Sequence, residues 1–206
     1  MAWKRRRSQL KELAEGLVKI GALQFGAFTL PNGRESSYQL NLRGIASYPG
    51  VFKLVVQSIS EVVSRKAPKA DAVCGIPVAG LAIASPVALA LGRPMVYARL
   101  PRRPNERGLE GEVRPGWKVV VVDDLAASGG SILAAARSVE QEGGEVKDAV
   151  VLIDRLEGAR ERLSKEGIAL HCATDAMELA DTLLSMELIR DADLKAIARS
   201  VGGRKG

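Results

Sequence analysis

Histidine is almost missing from these 206 residues: there is one, His171. A single imidazole excludes a histidine-rich zinc centre, and a Ser-His-Asp triad would depend wholly on it with no nucleophile elbow in view. His171 reads instead as a structural residue at a strand end. Cysteine is nearly as scarce. Cys74 and Cys172 stand far apart, in no metal-ligand spacing and in the apolar settings "AVCGIP" and "ALHCAT", so both read as buried reduced thiols. Aromatic residues make up 4%, too few for a base-stacking sheet of the RNA-binding kind. No apolar run approaches the roughly 18 residues that a membrane span needs. The basic start "MAWKRRR" leads into "SQLKELAEGLVKIGAL", which is charged throughout and unlike a signal peptide. The expectation is a soluble, cytoplasmic protein with no membrane partner.

What remains is an ordinary globular balance, 47% hydrophobic and 26% charged, in a chain long enough for one domain with a real core. The formal net charge is +6. The excess gathers in "KRRR" (4–7), "RLPRRPNER" (99–107) and the tail "GGRKG". The two ends read as solvated termini. The central cluster lies in one stretch and could serve a polyphosphate as readily as a nucleic acid.

Apolar spacing marks the elements. Leu10, Leu13, Leu17 and Ile20 predict a helix over 7–20, and "FTLPNGRESSYQLNLR" predicts two short strands around a Pro-Asn-Gly turn. A second amphipathic helix covers 49–66. Strands "DAVCGI", "PMVYA", "KVVVVDD" and "VKDAVVLID" then alternate with helices "GLAIASPVALALG" and "GSILAAARSVEQEGG", followed by a helix near 158–166, a strand "IALHCA" and two helices from about 175. Short apolar strands alternating with helices predict an α/β fold, a parallel sheet flanked by helices on both faces. One domain, 1–206, is expected: a hood of helix and hairpin over 1–48, a core over 49–185, and a C-terminal helix with a basic tail over 186–206.

The stretch "KVVVVDDLAASGGSI" (118–132) carries the chemistry. Ligands of open α/β sheets sit beyond the carboxyl ends of the strands, where Asp123 and Asp124 stand. Neighbouring strand residues face opposite ways, so the two acids have different jobs. Behind them Ala126, Ala127, Ser128, Gly129 and Gly130 are small enough for backbone amides to approach an anion, and Ser131 opens a helix whose positive end favours phosphate. Carboxylates repel phosphate but accept hydrogen bonds from sugar hydroxyls, so the pattern describes a ribose-phosphate cradle. The plain alternative is a strand-to-helix turn with an acidic cap. Neither Gly-x-x-x-x-Gly-Lys-Ser/Thr nor Gly-x-Gly-x-x-Gly is present.

"VVVVDDLAASGGS" resembles the PRPP-binding motif of type I phosphoribosyltransferases. Further segments narrow the resemblance to orotate phosphoribosyltransferase: the hood-like "GALQFGAFTLPNGRESSYQLNLR" (21–43), "GIPVAGLAIA" (75–84) where the family has its pyrophosphate loop, and "IDRLEGARERLSKEGIALH" (153–171). The resemblance implies that Asp123 and Asp124 hold the ribose hydroxyls of PRPP. It implies that Ala127, Ser128, Gly129, Gly130 and Ser131 bind the 5′-phosphate, and that Pro77, Val78, Ala79 and Gly80 meet the pyrophosphate, with Mg²⁺ held mostly by PRPP itself and no direct protein ligand. Phe28 and Thr29 would lie near the base. Arg155 matches the residue that grips the orotate carboxylate, against the plainer reading of a surface ion pair with Asp154 or Glu157. A homodimer is implied as well.

The family's catalytic loop, Arg-Lys-x-x-Lys-x-His-Gly, corresponds here to "RLPRRPNERG". Arg99 matches, Leu100 replaces the first lysine, Arg103 the second, and Asn105 or Glu106 the histidine; Pro101 and Pro104 stiffen the stretch. Arg99, Arg102, Arg103 and Arg107 keep it cationic, but arginine does not readily give up a proton. Pro31 stands where many members carry lysine, and Ala127 where threonine is usual. Two readings follow: orotate phosphoribosyltransferase acting on PRPP and orotate, or a fold relative with impaired catalysis that serves as a nucleotide-sensing regulator or an RNA- or ribosome-associated factor. Only the second involves nucleic acid.

Overall fold

The structure is a computed structural model and describes residues 2–29, 35–99 and 108–202. The chain forms two compact units, one of Met1–Leu54 with Thr174–Gly206 and the other of Val55–Ala173.

The first unit begins with α1, Ala2–Lys19. It starts earlier than the leucine spacing predicts, because "AWKRRR" carries no apolar period to read. Strands β1, Leu23–Thr29, and β2, Glu35–Leu40, pair antiparallel from Leu23 opposite Leu40 to Thr29 opposite Glu35. The Pro-Asn-Gly turn between them lies outside the described residues. A short 3-10 turn, Ile45–Ser47, precedes α2, Pro49–Lys66, of which only Pro49–Leu54 belongs to this unit; proline at its first position needs no intrahelical partner for its missing N–H. Two later helices belong to this unit: α6, Ala176–Ser185, and α7, Asp191–Gly202. The Asp175 carboxylate caps α6 by accepting from the amides of Met177 and Glu178. α6 packs on α1 and α7, and Arg6 reaches Glu178 at 2.9 Å.

The second unit is a sheet with helices on it. In chain order its elements are β3 (Ala72–Gly75), α3 (Ala79–Leu91), β4 (Met95–Ala98), β5 (Leu109–Glu110), β6 (Val119–Ala126), α4 (Gly130–Gln141), β7 (Asp148–Asp154), α5 (Ala159–Lys165) and β8 (Ala169–Asp175). Their order across the sheet is β5-β4-β3-β6-β7-β8. β4, β3, β6 and β7 run parallel, as the alternation predicts. The two-residue β5 pairs antiparallel with β4, so the sheet is mixed at that edge. A strand so short leaves no alternation to detect.

Both faces are dry. Cys74, Val121 and Val151 share one face with Ile132, Ala135 and Val139 of α4 and with Leu163 of α5. Val73, Val120, Val122, Val150 and Leu152 alternate with them and are equally buried, while α3 packs on β3 and β6. Parallel strands covered on both faces read as continuous apolar runs, which is why "VVVV" precedes the acids. Burial pushes the Cys74 thiol up to about 12, as a buried reduced cysteine should behave. Cys172 departs from that expectation. It is half-buried and receives the Arg160 guanidinium at 3.4 Å.

Leu152 is fully buried. Leu152→Ala is expected to lower unfolding stability by about 2–5 kcal/mol, read from the urea midpoint at unchanged slope.

Candidate active site

Four parallel strands bring the expected residues of the second unit to one edge. Pro77–Gly80 follows β3, Arg99 follows β4, residues 123–131 close β6 and open α4, and Arg155 follows β7. Phe28 and Thr29 end β1 in the first unit, opposite Ser36 and Glu35, with Phe28 half-buried. Arg102 and Arg103, with Leu100, Pro101, Pro104, Asn105, Glu106 and Arg107, lie outside the described residues, as does Pro31.

The two acids differ as their strand geometry requires. Asp123 is 8% exposed and Asp124 is half-buried. Burial pushes the Asp123 carboxyl well above the ordinary carboxylate range, and the adjacent Asp124 charge pushes it the same way. Each Oδ1 accepts the next amide along the chain: Asp124 N–H donates to Asp123 at 2.9 Å and Leu125 N–H to Asp124 at 2.9 Å. These local bonds fix the carboxylates in place as the strand ends.

The turn after β3 comes close to Asp123. Leu81 N–H donates to Ile76 O at 2.7 Å and closes the turn, in which the Pro77–Val78 peptide is cis. A Cβ on Gly80 would collide with the Asp123 carboxylate and stand 2.9 Å from its Cα. Only glycine lets the start of α3 lie against the end of β6.

The loop after β6 is held from below and left open above. Arg155 N–H donates to Ala126 O at 2.8 Å, tying the loop's root to the end of β7. Gly129 adopts φ +76, a conformation that L side chains rarely take, and Ala159 and Leu163 of α5 fill the space beneath it. No side chain caps α4, and the first amides of a helix have no partner within it. Ser128 and Ser131 are exposed beside them. The arrangement is a concave set of donors at a helix N-terminus, built for an anion.

Arg155 is not on the surface. It is 6% exposed and lies beside Glu157, 5% exposed, with Nη2 2.9 Å from Oε1, an ion pair by distance whose alignment is not that of a hydrogen bond. Asp154 pairs elsewhere: its Oδ2 accepts from Arg160 Nε at 3.0 Å and its Oδ1 from Leu156 N–H at 2.9 Å. The surface ion pair considered from sequence is therefore corrected to a buried one, with Glu157 as its acid. Leu156 between them has φ 57. A left-handed leucine is a turn that no residue type announces. His171 meets Asp148 at 2.7 Å on the strands, a structural contact as expected.

At the sheet edge, Arg99 N–H donates to Gly108 O at 2.9 Å and its guanidinium reaches Glu110 at 3.2 Å. Tyr97 lies opposite Glu110 and Ala98 opposite Leu109 in the same antiparallel pair.

A carboxylate that is expensive to ionise at the sheet edge predicts a trade between stability and function. Its folded-state value exceeds its unfolded one, so ionisation costs stability as pH rises through the window between them. Asp123→Asn is expected to raise the melting temperature of the ligand-free protein at pH 8, and the gain should shrink as pH falls toward the ordinary carboxylate range. An equal gain at every pH would show that the charge is not its source.

Known proteins with this arrangement agree. A family model for the phosphoribosyl transferase domain matches residues 45–175. The orotate phosphoribosyltransferase of Cenarchaeum symbiosum is 39% identical over 84% of this chain and 88% of its own. The solved UMP synthase of Leishmania donovani is 31% identical with a TM-score of 0.84, covering 94% of this chain and 42% of that one. The Mycobacterium tuberculosis orotate phosphoribosyltransferase, solved with PRPP, is 27% identical with a TM-score of 0.66, over 83% of this chain and 98% of that one. The motif, the strand order and these likenesses converge, and the chain belongs to the phosphoribosyl transferase domain family, in its orotate phosphoribosyltransferase branch.

Proposed function

We propose that this protein is an orotate phosphoribosyltransferase, joining orotate to the ribose of PRPP to give orotidine monophosphate and pyrophosphate. The observation that carries the reading is the β6–α4 turn, where a paired acid and an open run of amides share one sheet edge with the Pro77–Gly80 turn. A ribose with a 5′-phosphate needs hydroxyl acceptors and phosphate donors a few atoms apart, and the acids followed by small residues in this turn support that reading.

The roles follow from chemistry. Asp124, half exposed, accepts from the ribose hydroxyls, with buried Asp123 beside it. The amides of Ala127 to Ser131 and the hydroxyls of Ser128 and Ser131 bind the 5′-phosphate. The turn of Pro77, Val78, Ala79 and Gly80 receives the pyrophosphate, and Arg99, Arg102 and Arg103 supply cations to it. Mg²⁺ would be held mostly by the oxygens of PRPP itself, with no direct protein ligand. Bound with PRPP, it offsets charge on the pyrophosphate.

Arg155 holds the orotate carboxylate, a planar anion that suits a guanidinium. The bond from orotate N1 to ribose C1 forms as the bond from C1 to pyrophosphate oxygen breaks, and that electron pair leaves with pyrophosphate. N1 gives up its proton, which passes to water or to the departing pyrophosphate. The transition state has oxocarbenium character, so rate comes from stabilising the departing anion and keeping water out.

A homodimer is the proposed assembly. Helix α3, "AGLAIASPVALAL", carries no charge, and Val78, Ala82, Ser85 and Leu89 are exposed at spacings of one helical face. Val78 is 74% exposed and Leu89 84%. A helix apolar all round is normally covered, and a second copy of the chain supplies the cover.

Three measurements test these statements. Orotate absorbance should fall steadily with orotate, PRPP and Mg²⁺ together, and stop falling when any one is omitted. No fall alongside calorimetric PRPP binding would leave a binding protein without the chemistry. Arg155→Ala alone would strand Glu157, so Arg155→Ala is combined with Glu157→Gln and compared with Glu157→Gln alone. The pair is expected to raise KM for orotate about tenfold or more and to leave KM for PRPP within about twofold; equal losses would refute the carboxylate role. Leu89→Glu should convert dimer to monomer in sedimentation, and an unchanged mass would move the interface elsewhere.

A further inference from the structure

Helix α5 carries two arginines, Arg160 and Arg162, that do different things. Arg160 is used up in the structure: its guanidinium bonds the Asp154 carboxylate, the Leu170 carbonyl and the Cys172 sulfur. Arg162 is exposed, and among the described residues its guanidinium makes one hydrogen bond, a long one from Nη1 to the Ser128 carbonyl at 3.4 Å. That carbonyl belongs to the phosphate loop. A Cβ at Gly130 would enter a gap bounded by Arg162 Nη1 at 3.6 Å and Ser128 Oγ at 3.7 Å, at ordinary contact distance. The space above Gly130 is thus lined by a guanidinium and a hydroxyl, two kinds of donor from which a phosphate accepts, at the start of α4.

The same helix is already the loop's support. Ala159 and Leu163 fill the space beneath Gly129, which seats α5 against the turn. Arg162, between them in sequence, therefore has its charge delivered to the loop by packing, and a single long bond holds it there only weakly. An incoming phosphate offers shorter, charge-assisted bonds than a neutral carbonyl does.

We propose that Arg162 is a binding residue for the 5′-phosphate of the substrate, supplying the positive charge that the loop itself lacks. From Ala126 to Ser131 the loop contains no lysine or arginine, and Ala127 offers no hydroxyl. A guanidinium from α5 makes good that deficit. The assignment rests on the phosphoribosyl reading of the site, and the test separates the two.

Binding of ribose 5-phosphate is measured by calorimetry, with the base and pyrophosphate sites left empty. Arg162→Ala is expected to weaken it about 5- to 20-fold, the upper range being limited by solvent exposure. Its affinity should also fall less steeply with salt than that of the parent. In the full reaction KM for PRPP should rise by a similar factor, with KM for orotate and kcat within about twofold of the parent. Arg162→Lys should recover part of the affinity. Unchanged ribose 5-phosphate affinity in Arg162→Ala would overturn the proposal, and so would an equal loss of orotate and PRPP with a lowered melting temperature, which marks a merely structural residue. Arg162→Gln gives the same readout if the alanine variant misfolds. A parent protein that binds ribose 5-phosphate yet makes no orotidine monophosphate would defeat the proposed reaction while leaving the Arg162 comparison fully readable.

Discussion

Parallel pairing of β4, β3, β6 and β7 sends four strands out of the sheet along the same edge, and almost everything at the site is a consequence of that. Parallel ladders need both faces covered, so the strands are apolar through their middles and the acids stand in the second half of β6 and at the end of β7. Asp123 follows immediately after four buried valines. The turn from β3, the turn from β6 and the start of the β7–α5 connection then meet without any of them being long.

Burying Asp123 at this edge costs stability when it is charged. The surroundings do not remove the cost; they organise it. The Asp124 amide faces its Oδ1, and Gly80 brings the α3 terminus against it. A second cost lies at Leu156, whose left-handed backbone is unfavourable by about 1–2 kcal/mol for a residue with a side chain. The Asp154 carboxylate offsets part of it by accepting the Leu156 amide. Strain at Leu156 lets Arg155 and Glu157 both turn inward, side by side, so the two unfavourable features of this edge are the ones that aim its charged groups.

The frame of the molecule was legible because its signals are local and periodic. "VVVVDD" marks a buried strand ending in acids, and the leucine and valine spacing of 49–66 gives α2 at its full length. The start of α1 and the whole of β5 were not legible, the first for want of an apolar period in "AWKRRR" and the second because two residues cannot alternate. The site was legible in its residue types more than in its geometry. Asp123, Asp124 and the small-residue loop could be named from their order alone. The burial of Arg155 could not, since it depends on a backbone turn at a leucine, and neither could the seat of Arg162, since α5 reaches the loop only through folding. Cys172 shows the same limit: its apolar neighbours in sequence give no sign of Arg160, which arrives from a helix twelve residues back.

The contact between Gly80 and Asp123 also limits the ways in which this chain could change. A side chain at 80 has no room whatever stands at 123, because the Asp123 Cα and the Val122 carbonyl oxygen, 2.9 and 3.1 Å from that Cβ, are backbone that no substitution removes. Shortening residue 123 takes a buried acid from the sheet edge and still leaves that room closed. The two positions are therefore held for different reasons, residue 80 by the path of the backbone and residue 123 by its carboxylate. A lineage could lose the acid and keep the fold, but it would remain bound to glycine at 80.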